Sequence, residues 1–240
     1  MTVGNIIKAV RWCIDEEAVN AANLADASAY DIDAGVHTDI GLMNNIIRNK
    51  IGDALRWVCL YAPADRLSGS SSSSGGGSST ATAIDIIQED TLTASNNVLT
   101  PTETLIRVVR VKGADWHRAI LGDSLIKEDS DEYLQLRDEN GAEATADRPQ
   151  AVLVNTKQKK VEVWPGTGQF VLTYIKALST EDLGNLNADA TPVNIPANVE
   201  TSFIYYLAYL LCTAYGDTRA KSMFDNATLN LGRTEDKQRQ

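Results

Sequence analysis

Pro192-Val-Asn-Ile-Pro-Ala-Asn-Val-Glu-Thr-Ser-Phe-Ile-Tyr-Tyr-Leu-Ala-Tyr-Leu-Leu-Cys-Thr-Ala-Tyr-Gly-Asp217 decides how the rest of this chain is read. Two prolines hold the lead-in extended, and from Asn198 to Tyr215 nothing interrupts a helix. Val199, Phe203, Leu207, Leu210 and Ala214 recur at steps of three and four and form a seam, while Tyr205, Tyr206 and Tyr209 widen the apolar surface nearly all round. A helix apolar on most sides has to be enclosed by other elements. The Gly216-Asp217 break ends it. Thr218 to Leu231 then predicts an amphipathic helix with Ala220, Met223, Phe224, Ala227 and Leu231 on one face. Phe203 to Tyr215 falls short of the roughly 20 apolar residues a membrane span requires, so protein, not lipid, should enclose this hairpin.

The partners it needs lie at the other end of the chain. Ile6, Val10, Cys13 and Ile14 fall at helical spacing, with Glu16 and Glu17 on the polar side. After a polar connection holding Asp31, Asp33 and Gly35, a second stripe runs through Met43, Ile47, Ile51, Ala54, Val58 and Tyr61. Asp39 is placed to cap that helix and Pro63 to close it. Ser68 to Thr80 is almost wholly Ser and Gly, which cannot bury enough apolar surface to offset ordering, and reads as a flexible loop.

The middle of the chain changes period from helical to two. Leu105-Ile-Arg-Val-Val-Arg-Val111 and Phe170-Val-Leu-Thr-Tyr-Ile175 have strand composition. Ala151 to Asn155 and Lys160 to Trp164 read as a hairpin across a turn holding the basic run Lys157 to Lys160. Tyr133-Leu-Gln-Leu136 followed by Asn140-Gly141 reads as a further strand and turn, and Asp123 to Glu132 as a short helix or loop. The expected class is α+β: a helical bundle formed by the N- and C-terminal helices, with an inserted antiparallel β domain. The expected segments are 1–67 for the N-terminal helices, 68–83 for the Ser/Gly loop and 84–178 for the β domain. The C-terminal hairpin completing the bundle takes 179–232, and 233–240 is a polar tail.

Composition narrows the function. The net charge of −10 disfavours a nucleic-acid groove, which needs clustered Lys and Arg to displace counterions. Cys13, Cys59 and Cys212 are odd in number and each falls among apolar neighbours on a predicted helix, which reads as buried free thiols in a reducing cytosol. The N-terminus carries no signal-peptide pattern. His37 and His117 lie in unrelated surroundings and neither is near a cysteine in sequence. No set of residues has zinc spacing, and Asp129 to Glu132 lacks the length and glycine of a calcium loop. Gly166-Thr-Gly168 precedes a strand and Gly75-Gly-Gly77 carries no lysine, so neither is a phosphate loop. No catalytic, metal or cofactor residue is assigned, and the chain is expected not to be an enzyme.

Ile195 to Tyr209 with Ala214-Tyr-Gly-Asp217, and the strand ending Val161-Glu-Val-Trp-Pro165, resemble the head-to-tail adaptor (connector) proteins of short-tailed bacteriophages, the tail tubular protein A type. Gly52-Asp-Ala-Leu-Arg-Trp57 resembles ring proteins of crAss-like phages. The Ser/Gly tract departs from that family. The resemblance implies a virion protein of the neck or tail, assembled in the host cytoplasm as a homo-oligomeric ring, a dodecamer, with no membrane. Such a ring would bind the portal protein on one side and other tail or ring proteins on the other, and would pass DNA through its lumen without reading its sequence. Family members dock on the portal through a C-terminal extension; here that role would fall on Arg233, Thr234, Glu235, Asp236, Lys237, Gln238, Arg239 and Gln240. Twelve acidic copies would carry roughly 120 negative charges, and an anionic lumen repels phosphates. Two other readings stand beside it: another phage tail or baseplate component, and a carbohydrate-binding adhesive module relying on exposed aromatics such as Trp116.

Overall fold

The computed structural model describes residues 1–14, 38–68, 83–138, 141, 143–154 and 159–232. In chain order the elements begin with α1 (Val3–Cys13), α2 (Thr38–Tyr61), α3 (Ala64–Ser68), β1 (Ile84–Asp85), β2 (Ile87–Thr93), β3 (Val98–Leu99), β4 (Leu105–Gly113), β5 (Ile120–Leu121) and β6 (Ile126–Lys127). They continue with α4 (Asp131–Asp138), β7 (Gln150–Val154), β8 (Lys160–Trp164), β9 (Gln169–Lys176), α5 (Thr180–Asn185), β10 (Val193–Asn194), α6 (Ala197–Tyr215) and α7 (Ala220–Asn230). The class is α+β, as the change of period along the chain predicts. The Ser/Gly tract and the connection holding Asp31, Asp33, Gly35 and His37 lie outside the described residues, as do Lys157 and the tail from Arg233. No helix among the described residues is long and apolar enough to cross a membrane.

Two compact units divide these elements, and the first is helical. It takes the described parts of 1–62, 83–85 and 178–232, so both ends of the sequence meet in it. Helix α6 packs against α1, α2 and α7. Its buried stripe is Val199, Phe203, Ile204, Leu207, Ala208, Leu211 and Cys212. Leu210 is only half-buried and Ala214 is exposed, which corrects the expected seam. At 3.6 residues per turn Leu210 stays within about 20° of Phe203, so spacing alone puts it on the seam; toward the end of the helix the covered face has shifted round to Ala208, Leu211 and Cys212. Gly216 ends the helix at φ +67°, and the N–H of Asp217 closes back on the Cys212 carbonyl at 2.8 Å.

The start of the chain is stitched to the lead-in of α6. The Met1 amino group donates to the Val193 carbonyl at 3.0 Å, and the Val193 N–H donates to the Met1 carbonyl at 2.7 Å. Beside them β1 pairs in parallel with β10, Ile84 against Val193 and Asp85 against Asn194. Ile84 and Val193 are buried, so two residues of the inserted region's start belong to the helical unit. Thr2 caps α1 by accepting from the Asn5 N–H at 3.3 Å, and α1 buries Val3, Ile6, Ile7 and Val10. Asp39 lies within the first turn of α2 and does not precede it.

A polar joint fastens the turn between α6 and α7. Arg219 donates through Nε to both Asp217 oxygens at 3.1 Å, and its Nη1 reaches the Ile14 carbonyl just past α1. Hydrogen bonds from the Arg219 side chain, and then from its backbone N–H, hold the Asp217 carboxyl down at about 2. A folded value below the unfolded one means its stabilisation is present above about pH 4 and is lost as pH falls through about 2. Asp217→Asn should therefore trail the wild type in stability above pH ~4 and converge with it near pH ~2. Acid titration followed by far-UV circular dichroism measures this, and a constant offset across the range would contradict it.

The second unit takes the described parts of 63–68 and 86–177. One sheet has the order β2-β9-β4-β5, all antiparallel; the other has the order β3-β8-β7-β6, in which β6 pairs in parallel with β7. Val108, Val111, Phe170, Leu172 and Tyr174 of the first sheet share one core with Leu99, Ala151, Val161 and Val163 of the second, so the sheets pack face to face. Tyr133-Leu-Gln-Leu136 is not a strand; it is helix α4. The Ser130 hydroxyl accepts from the Tyr133 N–H at 3.2 Å, and Tyr133 and Leu136, three apart, pack on Val152 and Trp164 while Leu134 faces out. Helix α3 folds with this unit and not with the N-terminal helices. Asp123 accepts from the Ala64 N–H at 2.7 Å and from Arg107 at 2.5 Å, and Leu67 is fully buried.

Candidate functional site

Five aromatic rings gather on the helical unit, and the local sequence explains why. Trp57 and Tyr61 are four apart on α2 and Tyr206 and Tyr209 three apart on α6, so each pair shares a helix face. Trp57 lies flat on Tyr206, with ring centroids 4.0 Å apart and planes 3° from parallel. Tyr209 sits 5.4 Å from Tyr206, and Phe224 of α7 sits 5.1 Å from Tyr209 and 6.1 Å from Trp57. Tyr61 extends the row, 5.8 Å from Trp57. Phe224 and Tyr61 are 37% and 44% exposed, while the three rings between them are half-buried.

This strip is apolar in its body and polar at its tips. Burial, followed by the nearby Tyr209, Asp53 and Tyr61, pushes the Tyr206 hydroxyl above its ordinary value, so it stays a neutral donor. Lys50 and Asp53 continue the same α2 face and pair at 3.0 Å. Rigid amphipathic rings clustered at a surface lose little side-chain freedom on contact, which suits them to bind a protein surface. Phe224 was expected on the buried face of its helix. Met223, Ala227 and Leu231 occupy that face, and Phe224 turns toward the strip.

Other candidates divide differently. Arg233 to Gln240, the expected docking tail, lies outside the described residues. Cys59 and Cys212 are buried, and Cys13 is partly exposed. Burial, then the charge of Asp217, pushes the Cys212 thiol up, away from nucleophilic character. His117 pairs with Asp147 at the surface. Trp116 is 2% exposed and packs edge-on to Phe170 at 5.3 Å, so it offers no platform for a sugar. No three His, Cys, Asp or Glu side chains among the described residues are placed to share a metal ion. No protein-family model and no curated protein matches the chain.

Nothing in the residue pattern foretells the strip as a unit. Trp57 and Tyr206 are separated by the whole inserted β unit, and each alone reads as core. The available signal was an excess: three tyrosines on a helix whose seam was already complete without them.

Proposed function

We propose that this chain is a structural virion protein that assembles into a homo-oligomeric ring between a phage portal and the tail, with DNA passing through the lumen. The observation that carries the reading is architectural. The segments resembling the adaptor family, Ile195 to Tyr209 and Ala214 to Asp217, belong to the enclosed helix and its end, in a unit built from helices near both ends of the described chain, and the β sandwich lies between those helices in sequence. Such a unit packs helices from near both ends of the described chain against one another. The acidic composition supports the passage role, since like charge keeps phosphates from sticking to the wall.

The test is assembly. The protein, alone at rising concentration and together with the portal protein of a short-tailed phage, should form closed rings visible by mass photometry and negative-stain microscopy. A chain that stays monomeric at every concentration and does not bind the portal would overturn the proposal.

A further inference from the structure

We infer that the open edge of strand β2, Ile87–Thr93, pairs antiparallel with the same edge of a second copy and joins two four-stranded sheets into one. The inference goes beyond the ring reading and does not rest on it. β2 stands at the edge of its sheet and pairs with β9 from Ile87 opposite Ile175 to Thr93 opposite Gln169, without a register shift. The Lys176 N–H donates to the Ile86 carbonyl at 2.9 Å, which makes residues 86 and 176 a hydrogen-bonded pair. Bonding alternates along an antiparallel ladder. Gln88, Asp90 and Leu92 therefore turn their backbone groups to β9, while Ile87, Glu89, Thr91 and Thr93 turn theirs away. Those outward groups meet no backbone partner among the described residues, and Glu89, Thr91 and Thr93 are exposed.

An unpaired row of this kind is a template for another strand. β2 has no proline, lysine or bulge to blunt it, and its one inward carboxylate, Asp90, is already satisfied by Thr102 and Tyr174 of its own chain. The other sheet edges, β3, β5 and β6, are two residues long each, so the described edge that matches β2 in length on a second copy is β2 itself. Charge and bond number then set the register. A two-fold axis at Thr91 places Thr91 against Thr91, Glu89 against Thr93 and Asp90 against Leu92, with about six hydrogen bonds between the copies and no like charges opposed. An axis one residue earlier opposes two Asp90 carboxylates, and one residue later keeps only about four bonds. Such a contact closes at two copies and is additional to any contact that builds a ring.

Substitutions in the full chain test the edge and its register. Thr91→Pro removes an N–H that β9 does not use, so the chain's own sheet keeps its bonds while the centre of the pairing loses two. Sedimentation velocity is expected to show a monomer–dimer equilibrium in wild type and one about tenfold weaker in Thr91→Pro. Thr91→Cys is a small change at an exposed position and reports even where proline unfolds the strand. It should cross-link to itself under oxidised glutathione, because opposed Cα atoms of a hydrogen-bonded pair lie about 5.5 Å apart, within disulfide reach. Thr93→Cys, displaced from its own counterpart by roughly 13 Å along the strand, should not. Peptide mapping separates this bond from any made by Cys13. A wild type without a dimer at any concentration, a dimer untouched by Thr91→Pro, or equal cross-linking at positions 91 and 93 overturns the inference and leaves the ring reading to its own test. A dimer that depends on Thr91, in a protein that forms no ring and ignores the portal, supports the inference and overturns that reading alone.

Discussion

Phe203→Ala is expected to cost the helical unit about 3–5 kcal/mol, the range for deleting a fully buried aromatic side chain. Phe203 is 0% exposed and lies on the enclosed face of α6, whose neighbours α1 and α2 approach from one end of the chain and α7 from the other. Removing the ring loses its transfer energy and leaves a cavity that helices held at both ends close only in part. Leu210→Ala, on the same helix but half-buried, is expected to cost under about 1 kcal/mol. The contrast separates the observed stripe from the seam that spacing alone suggests. Thermal unfolding read by helix-sensitive far-UV circular dichroism measures both, and equal costs for the two substitutions would place the enclosed face elsewhere.

That contrast also shows where the sequence speaks and where it falls silent. The helices at both ends, their break at Gly216 and the strands around Val108, Val161 and Leu172 follow from periodicity and turn residues, which act over a few positions. Tyr133 to Leu136 misleads because alternation over four residues fits a strand and a short helix equally; the Ser130 cap and the pair of buried contacts three apart decide it. Ile84 and Asp85 look like the first strand of the inserted unit, yet their partner strand lies beyond its other end, at Val193 and Asn194. No local pattern carries that pairing. Helix α3 is similar, since its allegiance is set by Asp123, far along the chain. The aromatic strip belongs to the same class of feature: its residues are visible singly, and only the folding of α2, α6 and α7 together makes them a surface.

Asp90→Ala is the substitution expected to injure the β unit through a single side chain, by about 2–4 kcal/mol. Asp90 lies in β2 and is buried, 6% exposed, where a carboxylate survives only if its oxygens are satisfied. Oδ2 accepts from the Thr102 N–H and hydroxyl, both at 2.8 Å, and from the Tyr174 hydroxyl at 3.0 Å; Oδ1 accepts from Gln88 at 3.3 Å. Tyr174 in turn accepts from the Glu103 N–H at 3.0 Å, so one carboxylate and one phenol pin the connection between β3 and β4. Burial alone would raise the Asp90 carboxyl, but the bonds from Thr102, Tyr174 and Gln88 outweigh it and the group sits below its ordinary value. The stabilisation is thus fully present above the ordinary carboxylate range and is lost only as pH falls below about 4. Alanine takes the shared acceptor from the buried Tyr174 hydroxyl, which keeps only a 3.4 Å contact with the Thr102 hydroxyl, and from the N–H of the exposed Thr102; a hydrogen bond to a charged group is worth about 1.5–3 kcal/mol. Amide hydrogen exchange resolves the linkage residue by residue. Asp90→Ala should speed exchange at both Thr102 and Glu103, whereas Tyr174→Phe should release Glu103 and leave Thr102 protected by the remaining carboxylate. Unchanged protection at Thr102 in Asp90→Ala would mean that the connection is held by something other than this carboxylate.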